Sequence, residues 1–323
     1  MNILADVLGS TIVFAVPLLL VALGGMFSER SGIINIALEG IMIIGALLSC
    51  LFLNLINNSW GSSHPQLAVL LAILIAAISG LIFALLLAFA SIKLKADQTI
   101  GGTALNTLAP AFAIILTWAV QGQGQTNIMI PTWVRITNIS GDSGFFARLF
   151  LKNSYLTTPV ALVLLIASII ILYKTRFGLR LRSCGEHPQA ADSVGINVAK
   201  MRYSGVMISG FLGGIGGLAF TLAAGSGFSS TVAGYGFLAL AVMIFGNWKP
   251  LNILGASLFF ALFKVIGNYA GSIPFLPDFS NIKSSTYLYQ MLPYIVTMII
   301  LIFTSKKSRA PKAEGIPYDK GLR

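Results

Sequence analysis

The chain is poor in charge. Only 10% of its residues are Asp, Glu, Lys or Arg, while 56% are hydrophobic. Soluble domains carry about 25% charged residues, so a water-exposed surface of ordinary composition is excluded. Histidine and cysteine are scarce too, two of each in 323 residues. His64 and His187 lie far apart and on opposite expected faces of a membrane, so no Cys/His cluster suggests a metal site. Cys50 ends an apolar run and Cys184 sits in a polar loop, which argues against a mutual disulfide. No serine or cysteine has an evident base partner. No G-x-x-x-x-G-K-[ST] loop is present to cradle phosphates. No dense run of carboxylates suggests a proton pump. These absences leave no expected enzyme chemistry, cofactor or metal in this chain. The start also lacks a basic segment and its apolar run is long, so it reads as a retained span and not a cleaved signal peptide.

Apolar runs are what the chain does have. A bilayer core of about 30 Å takes roughly 20 apolar residues per helix, which gives this length room for roughly eight to ten spans and no soluble catalytic domain. Spans are expected at 3–27, 33–53, 67–91, 100–120, 158–173, 204–224, 233–247, 250–270 and 288–304. The fifth and seventh are short, which suits tilted or partial helices. The net charge of +11 comes from residues between and after the runs. Arg30, Lys93, Lys95, Lys174, Arg176, Arg180, Arg182, Lys200, Arg202, Lys249, Lys306, Lys307, Arg309, Lys312, Lys320 and Arg323 then share one side. Only Arg135, Arg148, Lys152 and Lys283 fall on the other, with Lys264 left inside a span. The positive-inside rule makes the crowded side cytoplasmic, the C-terminus included. The longest outer segment, 121–157, is rich in glycine, asparagine and serine and reads as loop, with "FFARLF" suited to a short interfacial helix.

Four stretches interrupt the spans. In "FSERSGIINIALEG", Asn35 and Glu39 lie on one side of a helix. An ionisable group at that depth is costly. It fits either a broken helix lining a substrate path or a buried structural residue paired with a neighbouring span, with Lys264 the most obvious partner. In "ADQTIGGTALN", Thr103 and Asn106 are three apart and face one way, as path lining or as interhelical glue. In "YSGVMISGFLGGIGGLAF", Gly205, Ser209, Gly213 and Gly217 recur every four residues, beside a second row of Gly210 and Gly214. This small-xxx-small pattern predicts close helix packing, within the subunit or at a dimer face. In "GSGFSSTVAGYGFLALAVMIFGNWKP", Phe228, Ser229, Ser230 and Tyr235 mark irregular backbone, either the outer mouth of a path or an ordinary turn.

A polar helix stands apart from the spans in "CGEHPQAADSVGI". Pro188 suits a first helical position after His187, and Gly195 suits the stop. Ala190, Ala191, Val194 and Val198 form an apolar stripe at helical spacing. Such a helix in a cytoplasmic loop suits docking into a partner groove, or lying on the membrane surface. This stretch resembles the cytoplasmic coupling segment of bacterial ABC-importer permeases of the branched-chain amino acid, ribose and nucleoside class. "ERSGIINIALEGIMIIGA", "ADQTIGGTALN" and "GFLALAVMIFGNWKP" match the family's motifs in the same order, over nearly the whole chain. The N-terminal "LVALGGMFSERSGIINIALEGIMIIGA" is most similar to the shorter permease of nucleoside-type, simple sugar-like importers. One departure is His187, where the family more often has asparagine; both residues can cap a helix.

The resemblance implies an all-α, polytopic transmembrane helical bundle with broken or re-entrant helices. Residues 1–304 form the permease domain, with a coupling loop at 174–203, and 305–323 form a basic cytoplasmic tail. The implied function is nucleoside translocation across a bacterial cytoplasmic (inner) membrane, with ribose or another simple sugar as the alternative cargo. An ion-coupled secondary transporter is the more distant alternative. Partners implied are an ATP-binding cassette ATPase subunit, a paralogous permease and an extracytoplasmic substrate-binding lipoprotein. The substrate path is expected to take Asn35, Glu39, Thr103, Asn106, Phe228, Ser229 and Tyr235. Docking onto the ATPase is expected to use Glu186, His187, Pro188, Ala190, Ala191, Val194 and Gly195.

Overall fold

A computed structural model describes residues 2–136, 155–269 and 310–319, together with Met291, Ile295, Met298, Ile299 and Ile302. Most of the ninth expected span, "FFARLF" and the basic residues Arg148, Lys152, Lys283, Lys306, Lys307, Arg309, Lys320 and Arg323 lie outside the described residues. The helices among the described residues are α1 (Asn2–Arg30), α2 (Leu38–Leu55), α3 (Pro65–Ala88), α4 (Gln98–Gln121) and α5 (Thr157–Lys174). They continue with α6 (Arg176–Glu186), α7 (Pro188–Ser193), α8 (Val198–Ala224), α9 (Tyr235–Phe245) and α10 (Pro250–Tyr269). Seven are long and apolar enough to cross a membrane: α1, α2, α3, α4, α5, α8 and α10. The expected polytopic bundle is therefore present, and eight of the expected spans correspond to helices.

Local chemistry sets the helix ends. Asp97 caps α4, its carboxylate accepting the N–H groups of Thr99 and Ile100 at 2.8 and 2.9 Å. Asn197 caps α8 through Lys200 N–H at 2.9 Å. This cap starts α8 at Val198, ahead of the 204 expected from hydropathy, so Arg202 lies within a helix and not in the loop. At 2% exposed, Arg202 is fully buried. Gly225, at φ 68, ends the same helix in the left-handed conformation that glycine favours.

The glycine rows explain why α8 sits at the centre. Gly214 lies so close to α3 that a Cβ there would fall on the Ala76 carbonyl. Gly45 of α2 meets Gly214 backbone to backbone, and Gly80 of α3 meets Gly210 and Gly214. Gly217 lies against the Met42 carbonyl, Gly205 against Ser31, and Gly24 of α1 against the Ser209 carbonyl. Three helices thus approach α8 at backbone distance. In lipid, where apolar side chains gain nothing by leaving their surroundings, this packing is what small residues supply. The rows work inside the subunit. Cys50 and Cys184 are both buried and free.

Two elements break the helical rule. The chain unwinds over 31–37 before α2, and α9 spans only 11 residues. Irregular backbone precedes α9, with positive φ at Ser230, Ala233 and Gly234. Another such turn follows it at Asn247 and Trp248, both at φ 53. Such backbone persists at membrane depth only when protein satisfies its polar groups.

Candidate functional site

A polar seam supplies that satisfaction. In the unwound segment, Ser28 donates its hydroxyl to the Ile33 carbonyl at 2.8 Å. Ile34 N–H donates to Gln98 Oε1 at 2.7 Å. Asn35 is fully buried and donates Nδ2–H to Ser209 Oγ at 2.7 Å, while its Oδ1 has no hydrogen-bond partner. Asn106 reads both ends of the break: its Oδ1 accepts Gly40 N–H and its Nδ2–H donates to the Ile36 carbonyl, both at 2.8 Å. The interhelical-glue reading of Asn106 therefore describes its geometry.

Glu39 holds the other broken element. Its Oε1 accepts Gly234 N–H at 2.9 Å and its Oε2 accepts Gly236 N–H at 2.7 Å. A carboxylate at the start of α9 neutralises the positive end of that half-helix and satisfies its orphan donors. Gly236 is required here, because a Cβ would fall on the Glu39 backbone. Lys264 is not the partner of Glu39. Its Nζ instead stands over the Tyr235 ring, 6.0 Å from the centroid. The backbone of α9 reaches the carboxylate first, so no cation is needed to compensate it.

The remaining path residues divide. Tyr235 is buried beside Phe220, ring centroids 4.4 Å apart. Phe228 is buried and exchanges two backbone hydrogen bonds with Ile128, at 2.8 and 2.9 Å, pinning the segment after α4 to the one before α9. Ser229 is exposed. Thr103 is exposed as well, its hydroxyl turned back to the Thr99 and Ile100 carbonyls at 3.0 Å each. It does not share the inward direction of Asn106, so the two do not act on one neighbour.

On the basic face, α6 and α7 form a compact knuckle. Thr175 caps α6 through Gly178 N–H at 3.1 Å. Gly185 packs on the Arg30 carbonyl, and Glu186 faces Arg30 at 3.8 Å. Pro188 opens α7 and is buried. Gly195, at φ 82, closes it, with Ile196 N–H bonded back to the Ala191 carbonyl at 3.0 Å. The expected stripe splits in two, because α7 has only six residues. Ala191 and Val198 point inward and pack with Cys184, whereas Ala190 and Val194 point to solvent, Val194 at 75% exposed. His187 is exposed, and its side chain makes no capping hydrogen bond. Burial pushes the Cys184 thiol above its ordinary range.

The lower anchor of the seam leaves no periodic trace in the sequence. Trp248 Nε1–H donates to Glu29 Oε2 at 2.6 Å, and Arg30 Nη2 reaches the Trp248 carbonyl at 3.3 Å. The pair ties the end of α1 to the turn between α9 and α10. Its partners are 219 residues apart, so no spacing pattern pointed to it. The unsatisfied look of "GNWKP" after an apolar run was the available signal.

A bundle of membrane-crossing helices, two broken elements joined by a polar seam and one exposed knuckle define a membrane permease subunit. The family model for the permease component of branched-chain amino acid transport systems matches residues 7–301, and the chain belongs to that family. It is 43% identical to the guanosine ABC transporter permease protein NupQ of Bacillus subtilis, covering 100% of this chain and 99% of that one. It is 41% identical to the nucleoside ABC transporter permease protein NupC of Lactococcus lactis, covering 99% and 98%. A second permease of that organism, NupB, is 25% identical over 97% of this chain and 85% of its own length. No solved structure matches the chain.

Proposed function

We propose that this chain is a permease subunit of an ATP-binding cassette importer that moves nucleosides across a bacterial cytoplasmic membrane, C-terminus inside. The observation that carries the reading is end-to-end similarity to two nucleoside permeases above 40% identity. The geometry agrees with it. Glu39, in the first turn of α2 after the 31–37 break, holds the backbone that opens α9, a junction of the kind at which discontinuous helices of transporters hold their cargo. Within the proposed path, Asn35 holds a buried amide oxygen without a hydrogen-bond partner and Tyr235 a buried aromatic ring, groups whose chemistry suits a base or ribose once the path opens. Glu39, Asn106 and Phe228 brace the backbone that shapes the path, and Ser229 and Thr103 lie at its margins.

Energy enters from outside the chain. The exposed Ala190–Val194 face, flanked by His187 and Gly195, is the docking surface for an ATPase subunit. Pro188 and Ala191 seat it, and Glu186 ties the seat to Arg30. A paralogous permease completes the membrane part, and a lipoprotein delivers substrate from outside. No metal or cofactor enters this chain's part of the cycle. Competition uptake tests the cargo: radiolabelled guanosine entry should be blocked by excess unlabelled nucleosides and not by ribose. Block by ribose alone assigns the cargo to sugars instead.

A further inference from the structure

Residues 310–319 run back across the basic face and reach each part of the knuckle and its footing. Ala313 N–H donates to the Gly185 carbonyl at the end of α6 at 2.8 Å, and Gly315 N–H donates to the Gly32 carbonyl after α1 at 3.3 Å. Gly315 holds φ 76, with Ile34 packed where its side chain would stand. The next carbonyl, Ile316, accepts from Arg202 Nη1 at 3.0 Å. Arg202 is fully buried, and its Nε and Nη2 have no other hydrogen-bond partner, so this bond is its main compensation. Tyr318 packs on the Cys184–Ala191–Val198 cluster beneath α7. Asp319 pairs with Lys95, between α3 and α4.

The segment therefore has two kinds of attachment. Gly185 and the cluster under α7 belong to the knuckle. Gly32, Arg202 and Lys95 belong to the inner ends of the bundle. Apart from the segment, α7 reaches α8 through the Gly195–Asn197 turn, whose left-handed glycine is exposed, and through the Ala191–Val198 contact, while α6 reaches α1 through Gly185 and Glu186. None of these reaches Ile34 before α2 or Lys95 before α4; among the described residues, the segment joins those to the knuckle. Coupling needs packed or hydrogen-bonded elements that move as one.

We propose that residues 313–319 are a strap that carries movement of α7 to the inner ends of α1, α2, α4 and α8, with Ile316 and Tyr318 as its positioning residues. This rests on the reading of the chain as an ATP-driven permease. Reconstitute the complete importer in proteoliposomes with this chain intact, ending at Pro311, or carrying Tyr318→Ala. Measure assembled complex, ATP hydrolysis stimulated by loaded binding protein, and guanosine moved per ATP. Truncation should leave assembly and stimulated hydrolysis in place and lower guanosine per ATP by about tenfold, the size of an ordinary coupling between two sites. Tyr318→Ala should lower the same ratio by less. An unchanged ratio in both variants overturns the strap, as does a loss accounted for entirely by less assembled complex. An intact importer that hydrolyses ATP but moves ribose and no guanosine counts against the nucleoside reading, and the strap is then judged on the ribose-to-ATP ratio.

Discussion

Glu39 and Gly236 meet at 2.7 Å, carboxylate oxygen to backbone N–H, across 197 residues of chain. The contact joins the two broken elements of the bundle. It explains how a carboxylate is kept buried inside the bundle: it takes the place of the residue that would otherwise cap α9. Charge-assisted bonds of this kind are stronger than neutral ones. Glu39→Ala should therefore lower the melting temperature of the detergent-purified chain by a few degrees, for a cap loss of about 1–2 kcal/mol. Glu39→Gln, which keeps one acceptor, should fall between. An unchanged melting curve for Glu39→Ala would remove the cap from the account.

The central place of α8 makes a sharper prediction. Gly214→Val has no room, because its Cβ alone falls on the Ala76 carbonyl. Overpacking of this kind costs about 1–3 kcal/mol even where neighbours can shift, and here the neighbour is backbone. Folded protein recovered by size-exclusion chromatography should be nearly absent. Gly255→Val on α10 is the matched control, since nothing lies within 4 Å of its Cβ position, and it should behave as wild type.

The split stripe on α7 separates docking from seating. Val194→Glu changes only the exposed face. It should lower transport by at least about tenfold, as loss of an interface anchor does, while the isolated chain melts normally. Ala191→Glu places a carboxylate in the Cys184–Val198 cluster and should lower the melting temperature as well. Equal effects of the two variants on the isolated chain would contradict this assignment.

Glu314 gives the strap a pH dependence. Burial pushes its carboxyl from the ordinary 4.5 up to about 6, against opposing pulls from a hydrogen bond with Glu29 and from the Arg30 charge. A raised carboxyl favours the docked, protonated form. Its contribution is complete below about pH 4.5 and fades as pH rises through about 6. Hydrogen exchange of residues 310–319, corrected for intrinsic rates, should show more protection at about pH 5 than at about pH 7.5. Glu314→Gln should flatten the difference. Protection that grows with pH in the wild type would reverse the sign and refute the mechanism.

Cys184 reports on the same strap. It is buried beneath Ala191 with Tyr318 alongside. Labelling by a water-soluble maleimide should be slow in the intact chain and much faster in one ending at Pro311. Cys50, buried inside α2, should stay protected in both. Equal labelling of Cys184 with and without the strap would mean that the strap does not cover it.

What the sequence disclosed follows the range of each interaction. Span positions depend on local hydropathy, and those of α1, α3, α4, α5 and α10 were legible within a few residues, whereas α2 starts at 38, five residues after the expected 33, and α8 at 198, six before the expected 204. The glycine rows of α8 were legible too, because a four-residue repeat is itself the packing surface. Pro188 and Gly195 marked α7, since helix ends carry local signals. The partners of Glu39 were not legible: backbone N–H groups leave no trace in composition, and Lys264 stood out only because it was charged. Arg202 passed for a loop cation because its compensation, the Ile316 carbonyl, lies 114 residues away. The tail looked merely basic for the same reason, although among its described residues Ala313, Gly315 and Tyr318, none of them basic, all pack or bond to the rest of the chain.

Uptake by the purified, reconstituted importer tests the central claim most directly. Guanosine should enter proteoliposomes only when this chain, its permease partner, the ATPase, the binding lipoprotein and ATP are all present, and ribose should not compete. Gradient-driven guanosine uptake by this chain alone, or ATP-driven uptake of ribose and not guanosine, would contradict it.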